Sequence, residues 1–224
     1  MIKNISNLGD AALYCDFGKE VDKDTNTKVI KYFRSIKKEK IDGINNLTPS
    51  YNKLIVSFDL KKTNYTKVKK LIENLSYESH GDLKSNKIEI PVCIDESFAL
   101  DIQRLEQKLK ISREKIYKSF FNKEFFCYMT GFIAGMPFLG DLDADMRAKR
   151  LETPRVKVPK GSVGLTEQFA NIYTFESPGG WNIIGNTPLN IFNSLKEKDP
   201  NLINPGDLVK FKEITKNQFE NYNE

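Results

Sequence analysis

The spacing of hydrophobic and polar positions changes from element to element along the first 94 residues. Leu13, Cys15 and Phe17 occupy alternate positions, which is typical of a strand with one buried face. Residues 22–38 instead repeat apolar side chains every three to four positions, with Asp22 as the candidate N-cap. The remaining predicted elements are two strands, a helix and a final strand, at 42–48, 53–59, 64–76 and 87–94. This β-α-β-β-α-β order is the split βαβ pattern of ferredoxin-like domains.

Beyond residue 94 the pattern predicts two helices and then many short strands. The helices are expected at about 98–109 and 112–122, with Ser112 capping the second. From Glu124 onward, short β-like runs alternate with Gly/Pro turns, which indicates an all-β barrel or sandwich. The runs are EFFCYMTGF, SVGL, NIYTF, WNIIG, LNIF and DLVKFKEI. The pattern therefore predicts an α+β protein with two domains, and the final QFENYNE (218–224) is expected to fray.

The composition excludes several classes of protein. No apolar run approaches the roughly 20 residues that cross a membrane, and the N-terminus lacks a signal peptide, so we expect a cytoplasmic protein. Cys15, Cys93 and Cys127 are far apart, and no Cys/His spacing indicates a metal site. The single histidine, His80, falls in a polar loop with no nucleophile beside it, so a Ser-His-Asp triad is not expected.

A run of lysines, KKTNYTKVKK at 61–70, is the strongest local charge in a chain of net charge +5. It is best explained as the solvated face of the 64–76 helix, whose apolar face repeats at helical spacing. A nucleic-acid-binding stripe is the alternative, but no recognition motif accompanies the lysines.

Three turn-rich segments could carry chemistry, at 131–143, 150–164 and 176–188. Glycine lets the backbone approach a ligand closely, and proline fixes the turn around it. Arg150 and Arg155 could pair with a carboxylate or phosphate, and Trp181 offers a flat apolar wall. Further candidate donors and acceptors are Asp141, Ser162, Glu176, Gly179, Gly180 and Thr187. The alternative is that these turns only close strands, and no Walker, Rossmann or zinc motif is present.

A series of short motifs in a fixed order carries more information than any of them alone. They are GDAAL at 9–13, PSYNKL at 49–54, IPVC at 90–93, GF at 131–132, GMPFL at 135–139, PR at 154–155, VP at 158–159, GSVG at 161–164, SPGGW at 177–181 and PGD at 205–207. In this order the sequence resembles the allophanate hydrolase subunit 1 family, which includes the B component of 5-oxoprolinase and a sporulation kinase inhibitor. The resemblance covers nearly the whole chain.

The resemblance implies a fold and a set of partners. The fold is an N-terminal ferredoxin-like domain (1–85) followed by a C-terminal cyclophilin-like β-barrel (86–224). The partners are an allophanate hydrolase subunit 2-like protein, which is the C component of 5-oxoprolinase, and a lactam-utilisation-type protein, which is the A component. Neither nucleic acid nor a membrane is expected as a partner.

The resemblance also implies a function. The chain would be the B component of an ATP-dependent 5-oxoprolinase, which opens 5-oxoproline to glutamate with hydrolysis of ATP and is active only as a complex. ATP would be bound with or by the partner subunits, and no cofactor tightly by this chain alone. The alternatives are an inhibitor of a sensor histidine kinase and a carboxyltransferase component of a biotin-dependent urea or amide carboxylase.

The expected substrate-binding residues are Arg155, Ser162, Glu176, Gly179, Gly180 and Trp181, with no metal ligand and with the catalytic residues unassigned. Arg155 could equally be a structural arginine that ties turns together. The chain departs from the family pattern at Phe120, Ala134, Met136 and Thr166-Glu167. Because the family often has a histidine where this chain has Phe120, the chain could perform a variant of the family reaction.

Overall fold

A computed structural model describes residues 1–75, 85–196 and 198–222 of the chain. The chain divides into unit 1, Met1–Lys84, and unit 2, Ser85–Glu224. His80 lies outside the described residues. Among the described helices, none combines the length and the apolar character that a membrane crossing requires.

Unit 1 pairs helices with an antiparallel sheet. Its described elements are β1 Asn4–Asn7, β2 Ala12–Asp16, α1 Lys23–Glu39, β3 Ile44–Pro49, β4 Lys53–Phe58 and α2 Tyr65–Asn74. The strands lie in the order β1-β2-β4-β3, and all neighbours are antiparallel.

Local signals in the sequence account for the elements of unit 1. The Asp22 side chain accepts a hydrogen bond from the Thr25 N–H at 2.8 Å, which satisfies a free donor at the start of α1. Leu13, Cys15 and Phe17 are buried together with apolar residues of both helices, as their alternation predicts. In α2, Val68 and Ile72 are buried and most of the neighbouring lysines are exposed, in agreement with a solvated basic face.

The last strand of the predicted split βαβ pattern belongs to unit 2. Strand β5, Lys87–Cys93, pairs in parallel with β13, Leu208–Ile214, instead of joining the sheet of unit 1. The fourth strand of the unit 1 sheet is β1, which pairs with β2. Sequence reasoning misses β1 because its four residues, NISN, show no alternation. The predicted β-α-β-β-α-β unit is therefore wrong in its last strand, and the ferredoxin-like description of residues 1–85 stays a prediction.

Unit 2 is built around a closed seven-stranded barrel. After β5 its elements are α3 Ile102–Leu109, α4 Arg113–Asn122, β6 Glu124–Thr130, β7 Pro137–Gly140, β8 Arg155–Val158, β9 Ser162–Thr166, β10 Phe169–Ile172, β11 Ser177–Gly179, β12 Asn182–Asn186, β13 and α5 Lys216–Glu220, with a 3-10 turn at Ala144–Met146. The barrel order is β10-β7-β6-β13-β5-β12-β9, and β8 and β11 form a separate two-stranded ribbon. The barrel predicted from the short strands is confirmed, whereas its cyclophilin-like character stays a prediction.

Two predictions in unit 2 are wrong. LNIF at 189–192 is not a strand, and within it only Phe192 forms an isolated bridge, to Asn201. The start of the predicted frayed tail, residues 218–220, instead belongs to α5. This helix forms because Thr215 and Gln218 make reciprocal capping bonds and Phe219 packs on Phe98, with 4.6 Å between ring centroids.

Candidate functional site

The β8–β11 ribbon gathers most of the predicted site residues of unit 2. Its register pairs Arg155 with Gly179 and Val158 with Ser177. The side chain of Val158 is completely buried, whereas Val156 is 81% exposed, so β8 enters the interior at its Val158 end. Gly180 and Trp181 follow β11 directly. Four of the six expected residues, Arg155, Gly179, Gly180 and Trp181, thus come together.

Arg155 is held by a carboxylate that the sequence reasoning does not single out. Its Nη2 donates to Asp101 Oδ1 at 2.6 Å, and the Asp101 side chain is only 5% exposed. The other oxygen, Oδ2, accepts from the Ile183 N–H at 2.7 Å. The second terminal nitrogen of Arg155, Nη1, is covered by protein and has no partner among the described residues.

Asp101 escapes sequence reasoning because its position predicts a different role. An aspartate directly before a helix is a usual N-cap, but the Asp101 side chain makes no capping bond to α3. Its backbone N–H also donates to the Ile183 carbonyl, at 2.9 Å. Arg104, one turn further along α3, donates to the Asn182 side chain. The start of α3 therefore fixes the strand that follows Trp181, and no local sequence signal reveals these contacts.

Tyr173 fills the space that Gly179 leaves open. A β-carbon at Gly179 would overlap the Tyr173 hydroxyl, so the glycine accommodates this buried ring rather than a ligand. Burial raises the pKa of Tyr173, against the opposing effects of the Asn171 side chain, the Trp181 backbone and the charge of Arg155. Tyr173 is therefore a neutral phenol at physiological pH.

Trp181 is partly buried against an apolar cluster. The cluster consists of Met136, Val158, Tyr173 and Ile183, with Ile133 and Trp181 packed on it. The indole meets Phe138 edge to face, with 5.6 Å between centroids. A β-carbon at Gly164 would lie 3.0 Å from the Trp181 Cβ, so this glycine also makes room for a side chain.

The other two expected residues, Ser162 and Glu176, bond to residues other than Arg155. Ser162 is buried in β9, where its carbonyl accepts from the Tyr173 N–H at 2.9 Å. Glu176 is exposed and forms an ion pair with Lys157 at 3.0 Å. Among the further candidates, Asp141 accepts from both Tyr128 and Gln168 and so has a structural role.

A cleft of about 490 Å³ in unit 2 is lined by different residues. Its lining comes mainly from α4 and from the segment before α3, with Ala99, Tyr117 and Phe121 among the apolar side chains. None of the six expected residues lines it. In the part of the chain that the structure describes, no three His, Cys, Asp or Glu side chains are grouped as metal ligands would be.

Phe120, where the resemblance implies a histidine in the family, lies in the core of unit 2. The ring is 1% exposed and stacks on Phe211, with 4.6 Å between centroids. It also contacts Phe125. This position therefore contributes packing in this chain and presents no side chain to the ribbon surface.

The family model for the carboxyltransferase domain, subdomain C and D, matches residues 3–203. The chain belongs to this family. Curated relatives of this chain confirm the resemblance found in the sequence. The B component of 5-oxoprolinase from Bacillus subtilis is 32% identical, over 98% of this chain and 96% of its own length. Its counterpart from Haemophilus influenzae is 30% identical, over 93% of this chain and 96% of its own length. Urea amidolyase of Saccharomyces cerevisiae is 22% identical over 96% of this chain but only 13% of its own length.

Solved structures of related proteins share the fold. TTHA0988 has a TM-score of 0.83 at 26% identity over 92% of this chain, and the chain spans only 40% of the length of TTHA0988. The conserved uncharacterized protein PH0987 of Pyrococcus horikoshii is 35% identical, with a TM-score of 0.58, over 96% of this chain and 100% of its own length. The same fold thus occurs both as a chain of this size and as part of a longer chain.

Proposed function

We propose that the chain is the B component of an ATP-dependent 5-oxoprolinase that is active only in a complex. The observation that carries this proposal is the match to the B component of 5-oxoprolinase from Bacillus subtilis, which extends over nearly the full length of both proteins. The complex would open the lactam of 5-oxoproline to glutamate with hydrolysis of ATP. The partners would be an allophanate hydrolase subunit 2-like C component and a lactam-utilisation-type A component.

The proposed reaction requires activation of the lactam. A lactam is a stable amide and water is a poor nucleophile, so ATP would activate the carbonyl oxygen by phosphorylation. Such a transfer needs cationic groups around the phosphoryl group and a positioned substrate. In this division of work, the present chain contributes the ribbon site with Arg155 and Trp181. ATP would be held with or by the partner subunits.

The groups around Arg155 support a site that other subunits complete. Both oxygens of Asp101 are occupied, Glu176 is paired with Lys157, and Tyr173 is neutral. Among the described residues of the ribbon site, these contacts leave no free general base. We therefore expect the base that activates water to come from a partner.

A carboxyltransferase component is the second candidate function. It is favoured by the family description and by the similarity to yeast urea amidolyase, which extends over 96% of this chain. In that case the chain would act on urea or a related amide together with a biotin-dependent carboxylase. Inhibition of a sensor histidine kinase stays a prediction from the sequence resemblance.

The deciding experiment measures 5-oxoproline-dependent release of ADP. The chain is assayed alone, with each candidate A or C component, and in the full mixture, and a mixture without this chain is the control. We expect ADP release only in the full mixture. A full mixture whose components bind one another but release no ADP would contradict the proposal. Transfer of labelled bicarbonate to urea in the presence of a biotin carboxylase would then support the second candidate.

A further inference from the structure

Asp101 is a buried charged residue that binds two different parts of unit 2. One oxygen accepts from Arg155 of the ribbon and the other from the Ile183 N–H of β12. A carboxylate that faces an arginine usually pairs with it through both oxygens. Here the second oxygen accepts from the Ile183 N–H, and Arg155 is bound to Asp101 through Nη2 alone. Nη1 is consequently left as a donor without an acceptor among the described residues.

An unpaired nitrogen of a guanidinium is unfavourable where protein covers it, because it loses water without gaining a partner. The chain nevertheless keeps Nη1 in this state, although about a quarter of the Arg155 side chain, 28%, is exposed. The arrangement of Asp101 and Ile183 thus preserves an unused donor. An acceptor from a bound molecule would satisfy it.

We propose that Asp101 is a positioning residue that turns Nη1 of Arg155 toward the carbonyl oxygen of an amide or ureido substrate. The inference rests on the proposed function and names the group of the substrate that this site binds. Because Asp101 already neutralises the charge of Arg155, a second carboxylate on Nη1 would be repelled by the first. A neutral carbonyl oxygen is not repelled, and it still accepts a hydrogen bond from the guanidinium.

A substrate oxygen can reach Nη1 of Arg155 only if the protein atoms that cover Nη1 move. The ribbon is the element that can move, because β8 and β11 pair with each other and not with the barrel strands. We therefore expect ligand binding to change the hydrogen exchange of the ribbon amides, residues 155–158 and 177–179.

The test uses calorimetry on the mixture of this chain with its A and C components. Three probes separate the chemical groups: 5-oxoproline, 2-pyrrolidinone (the lactam without a carboxylate) and proline (the carboxylate without a lactam carbonyl). Arg155→Lys keeps the charge but removes the forked donor. We expect Arg155→Lys to weaken the binding of 5-oxoproline and of 2-pyrrolidinone by about tenfold each, since one charged hydrogen bond is worth about that much. The affinity for proline should not change.

Asp101→Asn tests the positioning role. Asparagine has one acceptor oxygen, so either Arg155 or the Ile183 N–H loses its partner. We expect a KM for 5-oxoproline about tenfold higher, with the KM for ATP unchanged. Arg113→Lys is the matched control, because Arg113 is also an arginine of unit 2 paired with carboxylates, those of Glu96 and Glu106. Arg113→Lys should leave both the KM for 5-oxoproline and the KM for ATP unchanged.

The outcomes separate the two proposals. If the wild-type mixture binds the lactams but Arg155→Lys binds them equally well, the inference alone is wrong and Arg155 is structural. If Arg155→Lys weakens the binding of proline and 5-oxoproline but not that of 2-pyrrolidinone, Arg155 binds the carboxylate and the inference is again wrong. If the wild-type mixture binds neither lactam, the inference fails together with the 5-oxoprolinase function.

Discussion

Units 1 and 2 differ in how their interiors are specified. Among the described residues, unit 1 buries two polar side chains, Asn26 and Ser35, beneath an otherwise apolar interface of helix and sheet. Unit 2 buries eight, which are Asp101, Ser162, Asn171, Thr174, Asn182, Asn186, Thr187 and Asp207. Buried polar groups require partners with defined geometry, whereas apolar contacts tolerate adjustment. Unit 1 is thus organised by periodicity and caps, and unit 2 by specific contacts between remote segments.

The contrast between the two units would be contradicted if a substitution in the ribbon left the stability of unit 2 unchanged. Gly179→Ala would place a methyl group on the Tyr173 hydroxyl, and we expect a loss of about 2–4 kcal/mol in the free energy of unfolding. Gly180→Ala is the control, since its β-carbon would meet its nearest neighbour at 3.6 Å, which is ordinary contact. Fluorescence of Trp181, the only tryptophan, follows unfolding of unit 2. Equal stability of the two variants would show that Tyr173 moves aside freely.

A histidine at position 120, as the resemblance implies for the family, tests the aromatic core of unit 2. Phe120→His would remove packing on Phe211 and bury an imidazole without a defined partner, so we expect a loss of about 2–3 kcal/mol. Phe121→His is the matched control at a half-buried position next to it, with an expected loss below about 1 kcal/mol. Urea unfolding monitored by fluorescence measures both. A stable Phe120→His variant would mean that a partner for the imidazole exists near this position.

The smallest expected effect is at a helix cap in unit 1. Asp22→Ala should cost about 1 kcal/mol, because the Thr25 N–H loses its acceptor. The same bond lowers the pKa of Asp22 below its usual value. The contribution of this cap is therefore present above the unfolded-state pKa of about 3.9 and is lost as the pH falls through the lower folded pKa.

Urea unfolding monitored by circular dichroism at about pH 7 and about pH 2.5 measures this contribution of Asp22. Asp22→Ala and the wild type should differ more at the higher pH than at the lower one. Ser112→Ala in α4 of unit 2 provides the comparison, since that cap is longer, at 3.4 Å, and should cost less. A difference between Asp22→Ala and the wild type that is the same at both pH values would contradict the role of the charged carboxylate.

The same contrast explains what could be predicted from the sequence. Asp22 and Ser112 act on residues three positions away, and Leu13, Cys15 and Phe17 form a pattern within five positions, so local reasoning finds them. Strand β5 is recognisable as a strand but its predicted sheet is wrong, because its partners lie far along the chain. The alternation of a strand does not say which strand lies beside it.

The candidate site shows the same limit. Glycine, proline and Trp181 draw attention to this region, but Ser177–Gly179 is strand β11 and not the predicted turn. The reason for Gly179 is Tyr173, which turn chemistry does not reveal. Asp101 and Arg155 are 54 positions apart, and Asp101 and Ile183 are 82 apart. Only the folded barrel unit brings these three residues together.

The pairing of β5 with β13 has a consequence for synthesis of the protein on the ribosome. Asn86 and Asp207, which bond to each other beside these strands at 3.1 Å, are 121 positions apart. The described sheet of unit 1 is complete once Phe58 has emerged, so unit 1 can fold while translation continues. The barrel cannot close until residues 208–214 have been made, and until then β5 emerges as an apolar strand without its parallel partner. The nascent chain is therefore most vulnerable to aggregation while unit 2 is being translated.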